Sequence, residues 1–355
     1  MRRRVLVLCG GRSAERDISC ISAAAILRNL DPRRWEPALV RIDPEGRWTW
    51  QADPLAFARH PKPWRFAFAK TPARLELAPP SGLRVGSRLL PVAVVIPALH
   101  GPYGEDGTMQ GLLEVSGLAF VGCDTLGSAV GMDKVMSKRL ARWEGLPVLP
   151  YAVLSSPREL GGAKGLRLPV FVKPSRMGSS VGVSKVRTWS ELKGAVEKAF
   201  RFDTTVLVEQ GVEPREVECA VLGGGDKVAA SVIGEIRPNA DFYSYEAKYL
   251  DPEGATLTVP AELPAAKARL VQALAVRAFR VLGCHGLARV DFLLDKKTGK
   301  VWFNEVNTFP GFTSASMYPK LWEASGLPFP KLVDRLIALA LERRRARAAL
   351  SVTRA

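Results

Sequence analysis

LARVDFLLDKKTGKVWFNEVN, Leu287–Asn307, is a pair of apolar-rich runs joined by the polar, glycine-containing segment Lys296–Lys300. That is the pattern of a β-hairpin. If Lys296–Lys300 makes the turn, Asp295 faces Val301. Counting back by twos then sets Asp291 against Glu305 and Arg289 against Asn307. Opposed side chains on antiparallel strands have Cβ atoms about 4.5–5.5 Å apart. Two carboxylates that close repel unless a cation lies between them or one is protonated. A hard divalent ion meets that need, with Asn307 supplying a neutral third oxygen. Magnesium is the expected ion, because it takes one or two carboxylates and keeps positions for phosphate oxygens. The competing reading is that Arg289 simply neutralises the acids, since ion networks are frequent on sheets. A one-residue slip of register would also undo the pairing.

On the C-terminal side of the hairpin, NTFPGFTSASMYP (307–319) has more Gly, Ser and Thr than turning alone requires. Gly311 offers a backbone donor, and Ser314 and Ser316 offer hydroxyls, to a carboxylate or oxyanion. Further back lies VKPSRMGSSVGVSKV, Val172–Val186. Extended segments flank Gly178-Ser179-Ser180, which makes a hairpin-like flap. Gly178 and Gly182 let main-chain amides approach oxyanions, and Lys173 and Lys185 add charge. It is not a G-x-x-x-x-G-K-[ST] phosphate loop. Read alone, it is equally a solvated flexible turn.

The first third alternates strand and helix patterns: RVLVLCGG, SCISAAAILRNL, EPALVRID, LLPVAVVIPALHG and TMQGLLEVSG. Such alternation predicts a parallel sheet with helices against it, and ligands near the carboxyl ends of its strands. Residues 45–90 interrupt it with prolines and tryptophans, an insertion with room for a hairpin. Glu15 falls at the start of a helix, where an acid is favourable whatever its function. His100 ends a strand beside glycines 101, 104 and 107. It is either a contact for a substrate acid or a loop histidine tied to backbone. From about Ser137 the texture becomes α+β, with the domain boundary set near Gly127.

Five scattered cysteines without a C-x-x-C pair argue against structural disulfides and a thiolate zinc site, and three separated histidines against a histidine metal cluster. MRRRVLVLCGG reads as a buried strand entering a turn rather than a signal peptide. No apolar run approaches the roughly 20 residues of a membrane helix, so no membrane partner and a cytoplasmic setting are expected. The formal charge of +16 raises an anionic partner. Without a basic helix, finger motif or basic-aromatic segment, a specific nucleic acid is not the expected one.

The segments LCGGRSAERDIS, HGPYGEDGTMQGLLE, GMDK, FVKPSRMGSSVGVSKV, YSYEAKY, RVDF and NEVNTFPGFTSAS, in that order, resemble the D-alanine–D-alanine ligases of the ATP-grasp superfamily. The resemblance implies an α/β protein. Its N-terminal Rossmann-like parallel-sheet domain (1–126, pre-ATP-grasp, substrate-binding) precedes an α+β ATP-grasp domain (127–345). The latter divides into a central subdomain (127–208) and a C-terminal subdomain (209–345), followed by a basic tail (346–355).

It also implies ATP-dependent joining of two D-alanines through an acyl phosphate, for peptidoglycan precursors, with ligation to D-lactate or D-serine as the alternative. Lys134, Lys173 and Ser180 would meet ATP phosphates, and Lys248 would approach from a lid. Glu209 and Val212 would line the adenine pocket, and Glu216 would reach the ribose. Asp291, Glu305 and Asn307 would hold two magnesium ions, with manganese as a substitute. Glu15, with Ser179 and Tyr249 beside it, would bind the first ammonium, and His100 would sit near the first substrate. Arg289 and the Gly311 amide would stabilise the oxyanion, and Ser316 would receive the second carboxylate. Relatives suggest a homodimer. A catalytically silent ATP-binding regulator is the rival, and Glu15, Ser179, Tyr249 and Arg289 argue against it. His285 has no assigned role.

Overall fold

The computed structural model describes residues 2–68, 71–238 and 254–351. The chain begins β1 (Arg3–Gly10), α1 (Arg16–Arg28), β2 (Trp35–Ile42), with β1 and β2 parallel. Every side chain from Val5 to Cys9 is fully buried, because this sheet is covered on both faces. Period-two alternation divides them. Val5, Val7 and Cys9 pack with Ala23, Ile26 and Leu27 of α1, while Leu6 and Leu8 join a second cluster with Leu83 and Leu113.

The 45–90 insertion supplies cover for both sides. It contributes β3 (Trp48–Gln51), antiparallel to β2, α2 (Pro54–Arg59), and a small sheet of β4 (Ala73–Glu76), β5 (Gly82–Val85) and β6 (Arg88–Leu90). Phe57, on the α1 side, is ringed edge-on by Phe66 and Phe68. Leu83, Trp48 and Trp50 belong to the opposite face. β7 (Val94–Pro97) completes the order β3-β2-β1-β7, parallel to β1.

Three helices follow: α3 (Thr108–Val115), α4 (Thr125–Met132) and α5 (Lys134–Trp143). Gly127 falls inside α4. The Asp133 carboxylate caps α5, accepting from the Val135 and Met136 amides. A second sheet, ordered β10-β9-β11-β8, comprises β8 (Tyr151–Leu154), β9 (Val170–Pro174), β10 (Ser184–Val186) and, after α6 (Leu192–Phe200), β11 (Val206–Gln210). The pairing of β9 with β10 makes residues 175–183 the expected hairpin-like flap.

The third sheet is antiparallel, ordered β14-β13-β12-β15-β16. Its strands are β12 (Pro214–Gly224), β13 (Lys227–Pro238), β14 (Ala255–Thr258), β15 (Gly286–Asp295) and β16 (Val301–Asn307), with α7 (Ala265–Val281) between β14 and β15. α8 (Met317–Ala324) and α9 (Phe329–Ala348) close the chain. α9 returns to the first sheet: Leu332, Val333 and Leu336 share the cluster of Val5, Ile26 and Ile96. Its Arg343 donates to the Gly122 and Phe120 carbonyls at 2.6 and 2.8 Å. First and last segments therefore share one core, in which each fully buried leucine contributes about 1.5–3 kcal/mol.

The β15–β16 hairpin pairs Asp291 with Glu305 and Arg289 with Asn307, as expected. The starting pair is corrected: Val301 faces Leu294, not Asp295. Asp295 instead turns its carboxylate into the loop, accepting from the Lys297 amide and the Thr298 hydroxyl. The register shifts by one residue between Phe292/Phe303 and Asp291/Glu305, leaving Asn304 as an extra residue. That bulge cancels the offset at the turn. It also changes which face each residue takes, since Val301, Phe303 and Val306 enter the core while Glu305 and Asn307 do not.

Candidate active site

Arg289 and Asp291 are two residues apart on β15 and so share a face. Their side chains form a two-point ion pair, Nε to Oδ1 at 2.8 Å and Nη2 to Oδ2 at 2.7 Å. Glu218, paired with Asp291 from β12, brings Oε2 to 2.9 Å from the same Nε. Burial works against the guanidinium charge, but Asp291 and Glu218 outweigh it and hold the Arg289 pKa well above its ordinary value. Asn307 Nδ2 donates to Asp291 Oδ2 at 2.9 Å, and Lys134 Nζ lies 3.3 Å from Glu305 Oε2.

Among the described residues, no group of three or more His, Cys, Asp or Glu side chains converges as metal ligands. The side-chain oxygens that the hairpin brings together are those of Asp291, Glu305 and the Asn307 amide. Two carboxylates and an amide are hard oxygen donors on facing strands, and this donor set fits magnesium.

The flap closes on the N-terminal domain. Ser179 and Ser180 adopt left-handed conformations, φ 50° and 60°, and the Ser179 hydroxyl donates to Glu15 Oε1. Glu15 stands at the head of α1 and is 8% exposed. Glycines admit it: a Cβ on Gly101 would lie 2.8 Å from its Oε2, and one on Gly178 3.2 Å. Lys134 Nζ also donates to the Met177 carbonyl at 2.7 Å, tying α5 to the flap.

His100 is held inside the protein. Burial pushes its pKa down, so the neutral ring donates from Nδ1 to the Phe309 carbonyl at 3.1 Å. Nε2 then accepts from the Ser22 hydroxyl at 2.9 Å. Ser22 Oγ in turn accepts from the Phe312 amide at 3.2 Å. Of the two sequence readings, this geometry is that of the histidine tied to backbone. Ser22 and His100 pin the turn that carries Gly311. A Cβ on Gly311 would lie 2.9 Å from Ser316 Oγ, which itself accepts from the Thr313 amide at 3.0 Å.

Lys173 Nζ lies 2.8 Å from Glu209 Oε2, and Lys138 Nζ 2.6 Å from Oε1. Burial opposes the Glu209 charge, but the two ammonium groups hold its pKa below the usual carboxylate range. Val212 lies between β11 and β12, and Glu216 near the start of β12, where its charge reaches Lys173. Lys248 and Tyr249 lie outside the described residues.

Sequence reasoning missed Ser22, Glu105, Lys138 and Glu218. Glu105 accepts from the Gly101 amide at 2.6 Å and the Phe309 amide at 3.3 Å. Burial, then Glu15, pushes its pKa up to about 8. Lys138 was findable as the residue one helical turn after Lys134. Glu218 was findable as a second acid two residues along the strand from Glu216.

The family descriptions "D-ala D-ala ligase N-terminus" and "D-ala D-ala ligase C-terminus" match residues 4–123 and 140–338. The chain is similar to D-alanine--D-alanine ligase A of Bradyrhizobium diazoefficiens, 49% identical over 98% of this chain and 97% of that one. It is also similar to the D-alanine--D-alanine ligase of Mycolicibacterium vanbaalenii, 47% identical over 96% and 98%. Among solved structures, the D-alanine-D-alanine ligase of Coxiella burnetii superposes with TM-score 0.88 at 37% identity, over 98% of this chain and 96% of that one. The VanG D-Ala:D-Ser ligase of Enterococcus faecalis does so with TM-score 0.87 at 34% identity, over 96% and 100%.

Proposed function

The chain belongs to the D-alanine–D-alanine ligase family, and from that premise we propose which of its residues carry the reaction. It is an ATP-dependent ligase that joins two D-alanines into D-alanyl-D-alanine for peptidoglycan synthesis. A carboxylate oxygen of the first D-alanine bonds to the γ-phosphorus as the bond to ADP breaks, giving an acyl phosphate. The amine of the second D-alanine adds to that carbonyl carbon, phosphate leaves, and the amine proton passes to solvent. Each step moves negative charge, so the site's task is charge neutralisation more than covalent catalysis.

The observation that carries the residue assignment is the opposition of Asp291 and Glu305 beside Arg289, with Lys134 on Glu305. Asp291, Glu305 and Asn307 would hold magnesium, two ions with manganese as a substitute, and when bound the metal supplies positive charge to the phosphates. Lys134, Lys173, Ser180 and Lys248 serve the phosphates, and Val212, Glu209 and Glu216 the nucleoside. Glu15, hydrogen-bonded to Ser179 and completed by Tyr249, receives the first ammonium. His100 acts through Phe309 and Ser22, orienting the turn rather than meeting substrate. Arg289 and the Gly311 amide face the oxyanion, and Ser316 takes the second carboxylate. Family resemblance supports a homodimer, and the need for ATP supports work in the cytoplasm. No described helix is long and apolar enough to cross a membrane.

The test measures phosphate release from ATP and magnesium with D-alanine, L-alanine or no amino acid, with dipeptide read by mass spectrometry. Release and dipeptide with D-alanine alone are expected. Equal release with L-alanine, or none with either, would sink the assignment. Adding D-lactate or D-serine as a competing second substrate tests the choice at that position, where D-alanine is expected to prevail.

A further inference from the structure

Lys138 is 1% exposed, and a lysine so buried needs a partner. It lies one turn after Lys134 on α5, so both amines leave the same face of the helix. Lys134 turns to Glu305 and the Met177 carbonyl. Lys138 turns the other way, to Glu209 Oε1 at 2.6 Å and the Phe303 carbonyl at 3.4 Å. Glu209 is thus gripped from two sides, with Lys173 on its remaining oxygen at 2.8 Å.

Replacing buried ion groups with apolar side chains is often neutral or stabilising, so stability alone does not account for this set. Its charge count does. Glu209 orients Lys173, but a lone carboxylate would also cancel the charge it orients. A second ammonium behind that carboxylate offsets it, so that of these three groups one positive charge remains, with Glu305 and Glu216 acting on Lys173 as well. Lys173 retains the route outward, being 14% exposed against 1% for Lys138.

We propose that Lys138 is a positioning residue for ATP: by countering Glu209 from behind, it leaves Lys173 held in place without Glu209 cancelling the charge it presents to the triphosphate. The proposal deepens the reading of Lys173 as a phosphate ligand and rests on it. Lys138 touches no substrate in this scheme, and its effect on the nucleotide passes through Glu209 and Lys173.

The experiment compares the full-length wild type with K173M, K138M, K138Q and K138R. ADP affinity is measured by calorimetry, KM for ATP and for D-alanine by kinetics, and folding by thermal melting. K173M should weaken ADP by at least about tenfold. K138M should weaken it on the order of tenfold, while KM for D-alanine stays within about twofold. K138R keeps a positive charge behind Glu209 and leaves Glu209 itself unchanged. ADP affinity in K138R should therefore stay within about threefold of wild type.

Wild-type ADP affinity in K138M, or a parallel rise of both KM values, overturns the proposal. So does a K138R variant that folds but binds no better than K138M. If K138M does not fold, K138Q decides, because it keeps a donor toward Glu209 without the charge, and wild-type ADP affinity in it refutes the charge argument. Wild-type affinity in K173M would instead defeat the underlying reading of Lys173, separately from any result at Lys138.

Discussion

The Ser179 hydroxyl donates to the Glu15 carboxylate across 164 residues of sequence, joining the flap between β9 and β10 to the head of α1. A hydrogen bond to a charged group contributes about 1.5–3 kcal/mol. Ser179→Ala is therefore expected to lower kcat/KM for D-alanine by roughly 10–100-fold while leaving ADP affinity unchanged. Steady-state kinetics beside ADP calorimetry checks this. Equal losses in both would mean that the flap had collapsed.

Glu305 stands opposite Asp291 and receives Lys134. Glu305→Gln keeps the shape and removes the charge. Magnesium-dependent turnover should fall at least about 100-fold, with the circular dichroism spectrum and melting midpoint close to wild type. Near-normal turnover at ordinary magnesium concentrations would remove Glu305 from the ligand set.

Gly182 has φ 73°, and a Cβ there would lie 2.7 Å from Phe202 Cδ2 and 2.8 Å from Pro174 Cγ. Gly182→Ala should cost about 1–3 kcal/mol and raise KM for ATP, because the strain falls at the root of the flap. Chemical denaturation and ATP kinetics give the two readings. A variant with unchanged stability and unchanged KM would contradict the packing described.

His285 abuts Arg343, with ring Nδ1 3.5 Å from Nη1. Burial, then the Arg343 charge, pushes its pKa down to about 4. The unfolded chain takes up that proton near pH 6.5 and the folded chain near 4, so between these values the unfolded state binds more protons. The His285 contribution is thus fully favourable above pH 6.5 and is lost as pH falls toward 4, by up to about 3 kcal/mol. His285→Gln should flatten this part of the stability–pH profile. An equally steep profile in the variant would assign the slope elsewhere.

Patterns that repeat along the chain were legible in the sequence. The alternation of strand and helix patterns through the first third disclosed the parallel sheet, and period-two counting brought Asp291 to Glu305. That count succeeded through two offsets that cancel, Leu294 opposite Val301 and the extra Asn304, neither of which leaves a compositional mark. The insertion was opaque because its partners are distant: Phe57 and Leu83 serve opposite faces of a sheet built largely from other segments. Lys138 was legible in its helical spacing from Lys134 but not in its burial. A lysine reads as surface, and only the location of Glu209 on β11 explains its burial. His100 was legible as important but not in its role, which depends on Ser22 and Phe309 arriving from elsewhere.

The extra residue at Asn304 makes β16 serve two environments with side chains that even spacing would place together. In an unbroken strand Val301, Phe303, Glu305 and Asn307 would share a face, so either the acids would be sealed among aromatics or Phe303 would face the cleft. The bulge acts as a phase shifter instead, sending Phe303 to the Phe292 ring and Glu305 to Lys134. It also sets the two ends of the hairpin in different registers. The turn at Lys296–Lys300 keeps step with the hydrophobic core, and the acids keep step with Arg289.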